Sequence, residues 1–228
     1  MGEYNEYRTA WIKAESLAAK QKRAGKIYDT LTKLNPNTKT ALLYKTPMQF
    51  LAAVIMSAQA TDKMVNVITR DLFKKYRTPK DFAAANPKQF EQAISRIGLY
   101  RAKAKNIIAA AKVIEEKFRG KIPKTMAEIR TLPGVARKTG NIVLWEVHGV
   151  IDGIAVDTHV RRLSQRLGFT ENDDPKKIER DLIKLYPDKN RWPKINTLLI
   201  DLGRPTCIAQ NPRCAECPLK NLCPSSRL

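Results

Sequence analysis

The sequence predicts an all-α protein, and three observations carry that expectation. Apolar residues recur at helical spacing through most of the chain, as in Ala104, Ile107, Ile108, Ala111, Ile114 and Phe118. Cap-plus-proline pairs mark repeated helix starts at Thr46-Pro47, Thr78-Pro79, Asn86-Pro87 and Asp174-Pro175. No segment shows the two-residue alternation of a half-buried strand. Short capped helices of this kind pack helix on helix.

Taken in order, Trp11, Ile12, Leu17, Ile27, Leu31 and Leu34 predict helix over residues 8–34, with Gly25 as a candidate break and Asn35-Pro36-Asn37 as the stop. Met48 to Met56 is apolar on almost every face and should be buried. Ser57-Ala58-Gln59-Ala60-Thr61-Asp62 interrupts it, and Asp62 is expected to cap the next helix through Val65, Ile68, Leu72 and Phe73. Phe90, Ala93, Ile94 and Ile97 lead to Gly98, and the helical spacing that follows runs to Gly120. Thr125 and Glu128 match a capping box. Leu132-Pro133-Gly134 signals a turn, with a helix expected beyond it through Ile142, Val143, Leu144 and Val147. Asp157 is the expected N-cap of a helix that closes at Leu167-Gly168. Pro175 opens another through Leu185, and Trp192-Pro193 opens the last, which stops at Gly203.

A chain of 228 residues can form one large or two small domains, and 43% apolar content supports a real core. No run approaches the ~20 apolar residues of a membrane span. Met1-Gly2-Glu3-Tyr4-Asn5-Glu6 has neither a basic start nor an apolar stretch, so no signal peptide is expected. Lys and Arg number 42 against 22 Asp and Glu, a formal net charge of +20. The excess is spread along the chain, which favours a polyanionic partner, nucleic acid ahead of a membrane surface.

Residues 132–157 and the C-terminus carry the chemistry. Gly134 can adopt positive φ and admit a ligand close to the backbone. The helix start after it would present unpaired N–H groups, a site for phosphate. Gly134, Val135, Ala136 and Arg137 would then grip a nucleic-acid backbone without reading sequence. Lys138 lies one residue further on. An unprotonated amine can be a nucleophile, and a carboxylate such as Asp157 can take its proton or stabilise developing positive charge. By residue type alone, Lys138 is equally a phosphate contact and Asp157 an ordinary cap. His148 and His159 are the only histidines and are expected to be structural. All four cysteines, Cys207, Cys214, Cys217 and Cys223, fall in a C-x6-C-x2-C-x5-C pattern near the C-terminus. A disulfide pair is disfavoured where thiols stay reduced. Zinc remains a rival, but zinc ribbons usually carry two C-x2-C pairs, and the unequal loops here suit a [4Fe–4S] cluster.

The run Leu132-Pro133-Gly134-Val135-Ala136-Arg137-Lys138-Thr139-Gly140-Asn141, with Asp157 downstream, resembles the helix-hairpin-helix segment of the endonuclease III family of DNA glycosylases. The cysteine spacing is similar to that family's C-terminal cluster loop, and the likeness covers about residues 22–223. It departs at Ala136, where the family usually has glycine. Alanine fits there if φ is negative and is strained if φ is positive.

The resemblance implies a two-lobed fold, with a six-helix domain at 43–152 inserted into a cluster lobe built from 1–42 and 153–228. The catalytic groups would face the cleft between the lobes. It implies Lys138 as the nucleophile and Asp157 as the second catalytic group of a bifunctional glycosylase and β-lyase acting on oxidised pyrimidines. A monofunctional glycosylase of the same fold, or a DNA-binding module without turnover, is the alternative. Gln59 and Leu99 would fill the gap left by an extruded nucleotide, with Ser57 and Asp62 lining the pocket. The four cysteines would hold a [4Fe–4S] cluster in a loop whose Arg213 meets DNA; Gln210 and Asn211 stand there where relatives often carry basic residues. The implied partner is double-stranded DNA with a damaged base or abasic site, bound by a monomer with no membrane association, in the cytoplasm at the nucleoid if the source is prokaryotic.

Overall fold

The computed structural model describes residues 14–226, and every regular element among them is helical. In chain order these are α1 (Leu17–Leu34), α2 (Pro47–Ser57), α3 (Asp62–Lys75), α4 (Pro79–Ala83), α5 (Pro87–Ala93) and α6 (Tyr100–Phe118). Then come α7 (Met126–Ile129), α8 (Arg137–His148), α9 (Thr158–Arg166), α10 (Pro175–Leu185) and α11 (Trp192–Gly203). The chain divides into two compact units: Thr40–Asp152, and the described residues up to Lys39 joined with those from Gly153 onward.

The Thr40–Asp152 unit is built around α2, which packs against α3, α6 and α8. Its apolar composition on all faces leads to that position, and every residue from Met48 to Met56 is buried. Gln49 is 1% exposed in the midst of this core. Its side chain accepts from Lys45 N–H at 2.9 Å and donates to the carbonyls of Phe73 at 3.0 Å and Tyr76 at 2.9 Å. One amide thereby satisfies the end of α3 and the approach to α2, as a buried polar group must.

The cap at α3 differs from the expectation. Thr61, not Asp62, is the N-cap: its hydroxyl accepts from Met64 N–H at 3.2 Å, and Asp62 is the first helical residue. The threonine has the extended backbone a cap needs, while Asp62 sits where its charge favours the helix dipole. The apolar run after Asn86 is helical only to Ala93; Ile94 and Ile97 are buried from a turn instead.

In the other unit, α1 packs on α10 and α11, and α9 packs on both of these. Gly25 does not break α1, which runs unbroken from its Ser16 cap to Asn35. The roughly 1 kcal/mol that glycine costs in a helix is offset by burial of Ala24, Ile27 and Leu31 on the same helix. Trp11 and Ile12 lie outside the described residues. Arg23 is 6% exposed, donates to the Leu167 carbonyl at 2.7 Å and the Leu222 carbonyl at 3.1 Å, and pairs with Glu15 at 2.6 Å. It therefore ties α1 to the end of α9 and to the C-terminal loop.

Gln49→Leu should keep the volume but strand two carbonyls and one N–H. We expect urea unfolding to show a loss of roughly 2–4 kcal/mol; a loss under about 0.5 kcal/mol would mean that water replaces the amide.

Candidate functional site

The hairpin turn is closed by Val135 N–H donating to the Leu132 carbonyl at 3.1 Å. Gly134 has φ +78°, and a Cβ added there would lie 2.9 Å from Asn106 Cβ, so both conformation and space require glycine. Ala136 is the N-cap of α8 with φ −85°, so alanine is unstrained at the point of departure from the family pattern. Its side chain offers no acceptor, and the first helical bond runs from Gly140 N–H to the Ala136 carbonyl at 2.9 Å. The N–H groups of Lys138 and Thr139 therefore have no intrahelical acceptor, which is the arrangement that binds phosphate. Lys138 is exposed in this first turn. Val135 is buried and its N–H is used in the turn. Arg137 pairs with Asp152 at 3.0 Å, which reduces the charge it offers an anion.

Two further loops of the same unit carry Gln59 and Leu99. Both side chains are exposed, Leu99 by 64%, and both backbones are left-handed, with φ 57° and 59°. Non-glycine residues in this region store strain and concentrate at functional sites. The loops adjoin each other, since a Cβ on Gly98 would sit 3.9 Å from the Gln59 carbonyl oxygen. Ser57 turns its hydroxyl back to the Val54 carbonyl at 2.9 Å, within its own helix.

Asp157 follows a buried irregular segment, residues 153–156. Two buried side chains hold that segment: Glu179 accepts from Ile154 N–H at 3.1 Å, and Asn196 donates to the Ala155 carbonyl at 3.0 Å. Asp157 then caps α9, its Oδ1 accepting from Val160 N–H at 2.8 Å.

The same helix, α9, holds the cysteine loop. Arg162 donates to the Cys207 carbonyl at 3.0 Å and the Gly203 carbonyl at 3.0 Å. Arg166 donates to the carbonyls of Ile208 at 2.7 Å and Ala209 at 2.8 Å, and lies 3.3 Å from Cys207 Sγ. Neither arginine stands out in the sequence, although their i,i+4 spacing after Asp157 puts them on one helix face. His159 contacts Arg162 at 3.2 Å, and His148 contacts the Ile122 carbonyl at 3.1 Å.

Cys207, Cys214, Cys217 and Cys223 are unbonded and line one hollow together with Arg166, Arg213 and Lys220. The hollow opens to solvent, with a cavity volume of about 30 Å³. Among the described residues no group of three or more Cys, His, Asp or Glu is arranged for a single metal ion. Four thiols lining one hollow, bordered by the cations Arg166, Arg213 and Lys220, fit an anionic iron–sulfur cluster. Burial pushes the Cys223 thiol up to about 11 and raises Cys217 as well. Thiolates there need a strong positive partner, which iron provides. Arg213 is exposed on this loop, and its N–H donates to the Thr206 carbonyl at 3.0 Å.

Comparison with known proteins matches residues 52–188 to the HhH-GPD superfamily of base excision DNA repair proteins. Residues 207–223 match the iron–sulfur binding domain of endonuclease III. Endonuclease III of Synechocystis sp. is 46% identical, over 92% of this chain and 96% of its own. Endonuclease III of Bacillus subtilis is 43% identical, over 86% of this chain and 89% of its own. A solved structure described as a trapped endonuclease III–DNA covalent intermediate is 40% identical, with a TM-score of 0.85 over 90% of this chain and 96% of that one.

Two outcomes follow from the geometry. Cys217→Ser should lower bound iron and acid-labile sulfide and bleach the brown absorbance; undiminished iron would remove Cys217 from the ligand set. Gly134→Ala forces a positive φ on alanine and a clash with Asn106. It should weaken duplex binding by about tenfold or more in a fluorescence titration at fixed salt, and unaltered affinity would show that the turn does not hold phosphate.

Proposed function

The chain belongs to the HhH-GPD superfamily of base excision DNA repair proteins, and from that premise we propose that Lys138 and Asp157 carry its chemistry on DNA. It is a DNA glycosylase and abasic-site lyase with a [4Fe–4S] cluster in its C-terminal domain. Its partner is DNA.

Lys138, unprotonated, attacks C1′ of an extruded nucleotide and the base departs. The C1′–O4′ bond then breaks, O4′ takes the proton shed by the amine, and the open-chain imine so formed acidifies the 2′ hydrogens; loss of one as a proton expels the 3′ phosphate by β-elimination. Asp157 takes the proton of the attacking amine or stabilises positive charge on the sugar. The observation that carries this reading is the placement of Lys138. It lies in the first turn of a helix that follows a glycine turn and lacks a side-chain cap, so phosphate binding brings the sugar to the amine. The trapped covalent intermediate of a relative supports a nucleophile of this kind.

The proposed interface comprises Gly134, Ala136 and Arg137 at the hairpin, with Val135 shaping the turn, and Arg213 on the cysteine loop. Gln59 and Leu99 fill the gap in the duplex; the exposure of Leu99 supports its role as an apolar wedge. Ser57 and Asp62 line the pocket from the Gln59 loop. Cys207, Cys214, Cys217 and Cys223 would hold the cluster, which would brace the loop that bears Arg213. We take the substrate to be an oxidised pyrimidine or an abasic site in a duplex, met by a monomer, in the cytoplasm at the nucleoid if the source is prokaryotic. No helix among the described residues is long and apolar enough to cross a membrane.

Borohydride should trap a covalent adduct with lesion-bearing DNA, and Lys138→Ala should abolish it. An adduct that persists in that variant would exclude Lys138, and base release without strand cleavage would favour a monofunctional enzyme. Asparagine caps helices as well as aspartate does. Asp157→Asn should therefore keep iron content and unfolding temperature while lowering kcat about 100-fold or more; a loss under about threefold would leave Asp157 as a cap alone.

A further inference from the structure

Lys103 is 5% exposed, a rare environment for lysine, and among the described residues no carboxylate accepts a hydrogen bond from it. Its Nζ donates to the Met56 carbonyl at 3.0 Å and makes a second hydrogen bond to the Ala58 carbonyl. These are carbonyls at the end of α2, immediately before Gln59. Its backbone N–H donates to the Leu99 carbonyl at 3.0 Å. The main-chain bond is the first bond of α6, whose N-cap is Leu99, so the side chain ties the loop of Gln59 to the helix turn that Leu99 opens. Burial lowers the Lys103 pKa from its ordinary value, so a charge is kept here at a cost. A neutral apolar residue would fill the space without that cost, but would leave both carbonyls unpaired.

We propose that Lys103 is a positioning residue that clamps the two wedge loops together, so that Gln59 and Leu99 enter the duplex as one rigid unit. The inference rests on the reading of Gln59 and Leu99 as gap fillers. The amine contacts neither substrate nor reacting atoms. What it supplies is geometry: each wedge residue sits in a strained left-handed conformation, and the Nζ bonds hold the chain entering one of them. Without the clamp the loops relax separately, and the extruded nucleotide is no longer kept out of the stack.

The test compares strand cleavage at one abasic site in a duplex and in the same strand unpaired. An unpaired strand has no stack to open and no gap to fill. The ratio of the two rates cancels any loss of folded protein, because misfolded molecules are missing from both assays. Lys103→Met should lower the duplex-to-single-strand ratio about tenfold or more, and Lys103→Arg, which can donate to both carbonyls, should recover it to within about threefold. Should Lys103→Met fail to fold, Lys103→Gln is judged by the same ratio. A ratio that stays within about twofold of the parent, or an arginine variant no better than methionine, overturns the proposal. The double variant Gln59→Ala with Leu99→Ala separates the two layers. If it leaves the ratio unchanged, the gap-filling reading fails; if it lowers the ratio while Lys103→Met does not, the clamp alone fails.

Discussion

Buried carbonyl groups must be paired, and in this chain cationic side chains pair the ones that matter most. Lys103 takes the carbonyls at the end of α2, and Arg23 takes those of Leu167 and Leu222. Arg162 takes Gly203 and Cys207, and Arg166 takes Ile208 and Ala209. In each case a charged donor meets the negative end of a helix or the irregular backbone just beyond it. Such bonds are about twice as strong as neutral ones, and the sign of the charge suits the helix dipole. The excess of +20 is therefore not only an attraction for DNA. A share of it is spent inside, fixing the loops that bear Gln59, Leu99 and the cysteines.

The two proposed catalytic groups are supported in opposite ways. Asp157 spends one oxygen on capping α9, and the segment leading to it is pinned by Glu179 and Asn196. Its position is over-determined. Lys138 lies in a helix whose cap residue is alanine, so the first N–H groups keep their capacity to bind an anion. A serine or aspartate at residue 136 would stabilise the helix and compete with phosphate for those groups. Stability is given up at one helix start and taken at the other, according to what each must bind.

Much of the fold was legible because its signals are local. Proline after a capping residue marks Pro47, Pro79, Pro87 and Pro175 as helix starts in the structure as in the sequence. The unbroken apolar stretch Met48–Met56 announced a buried helix for the same reason. The helix at Gly25 and the cap at Thr61 were misread because each turns on a competition. Tertiary burial outweighed glycine's cost in one, and backbone geometry chose between adjacent capping residues in the other. The cysteine loop was legible from spacing, but its supports were not. Arg162, Arg166 and Lys103 look like any surface cation in a chain with 42 of them, and only the path of the backbone shows which carbonyls they face.

The left-handed backbone at Leu99 narrows what evolution can try there. Valine and isoleucine are the commonest exchanges for leucine in apolar settings, yet a branch at Cβ collides with its own backbone when φ is near 59°. The admissible alternatives are unbranched at that carbon, such as methionine or phenylalanine, which are longer or flatter than leucine. Drift at this position is thus channelled by main-chain shape before any contact with a ligand is weighed, and lineages that vary it should change the reach and thickness of the proposed wedge together.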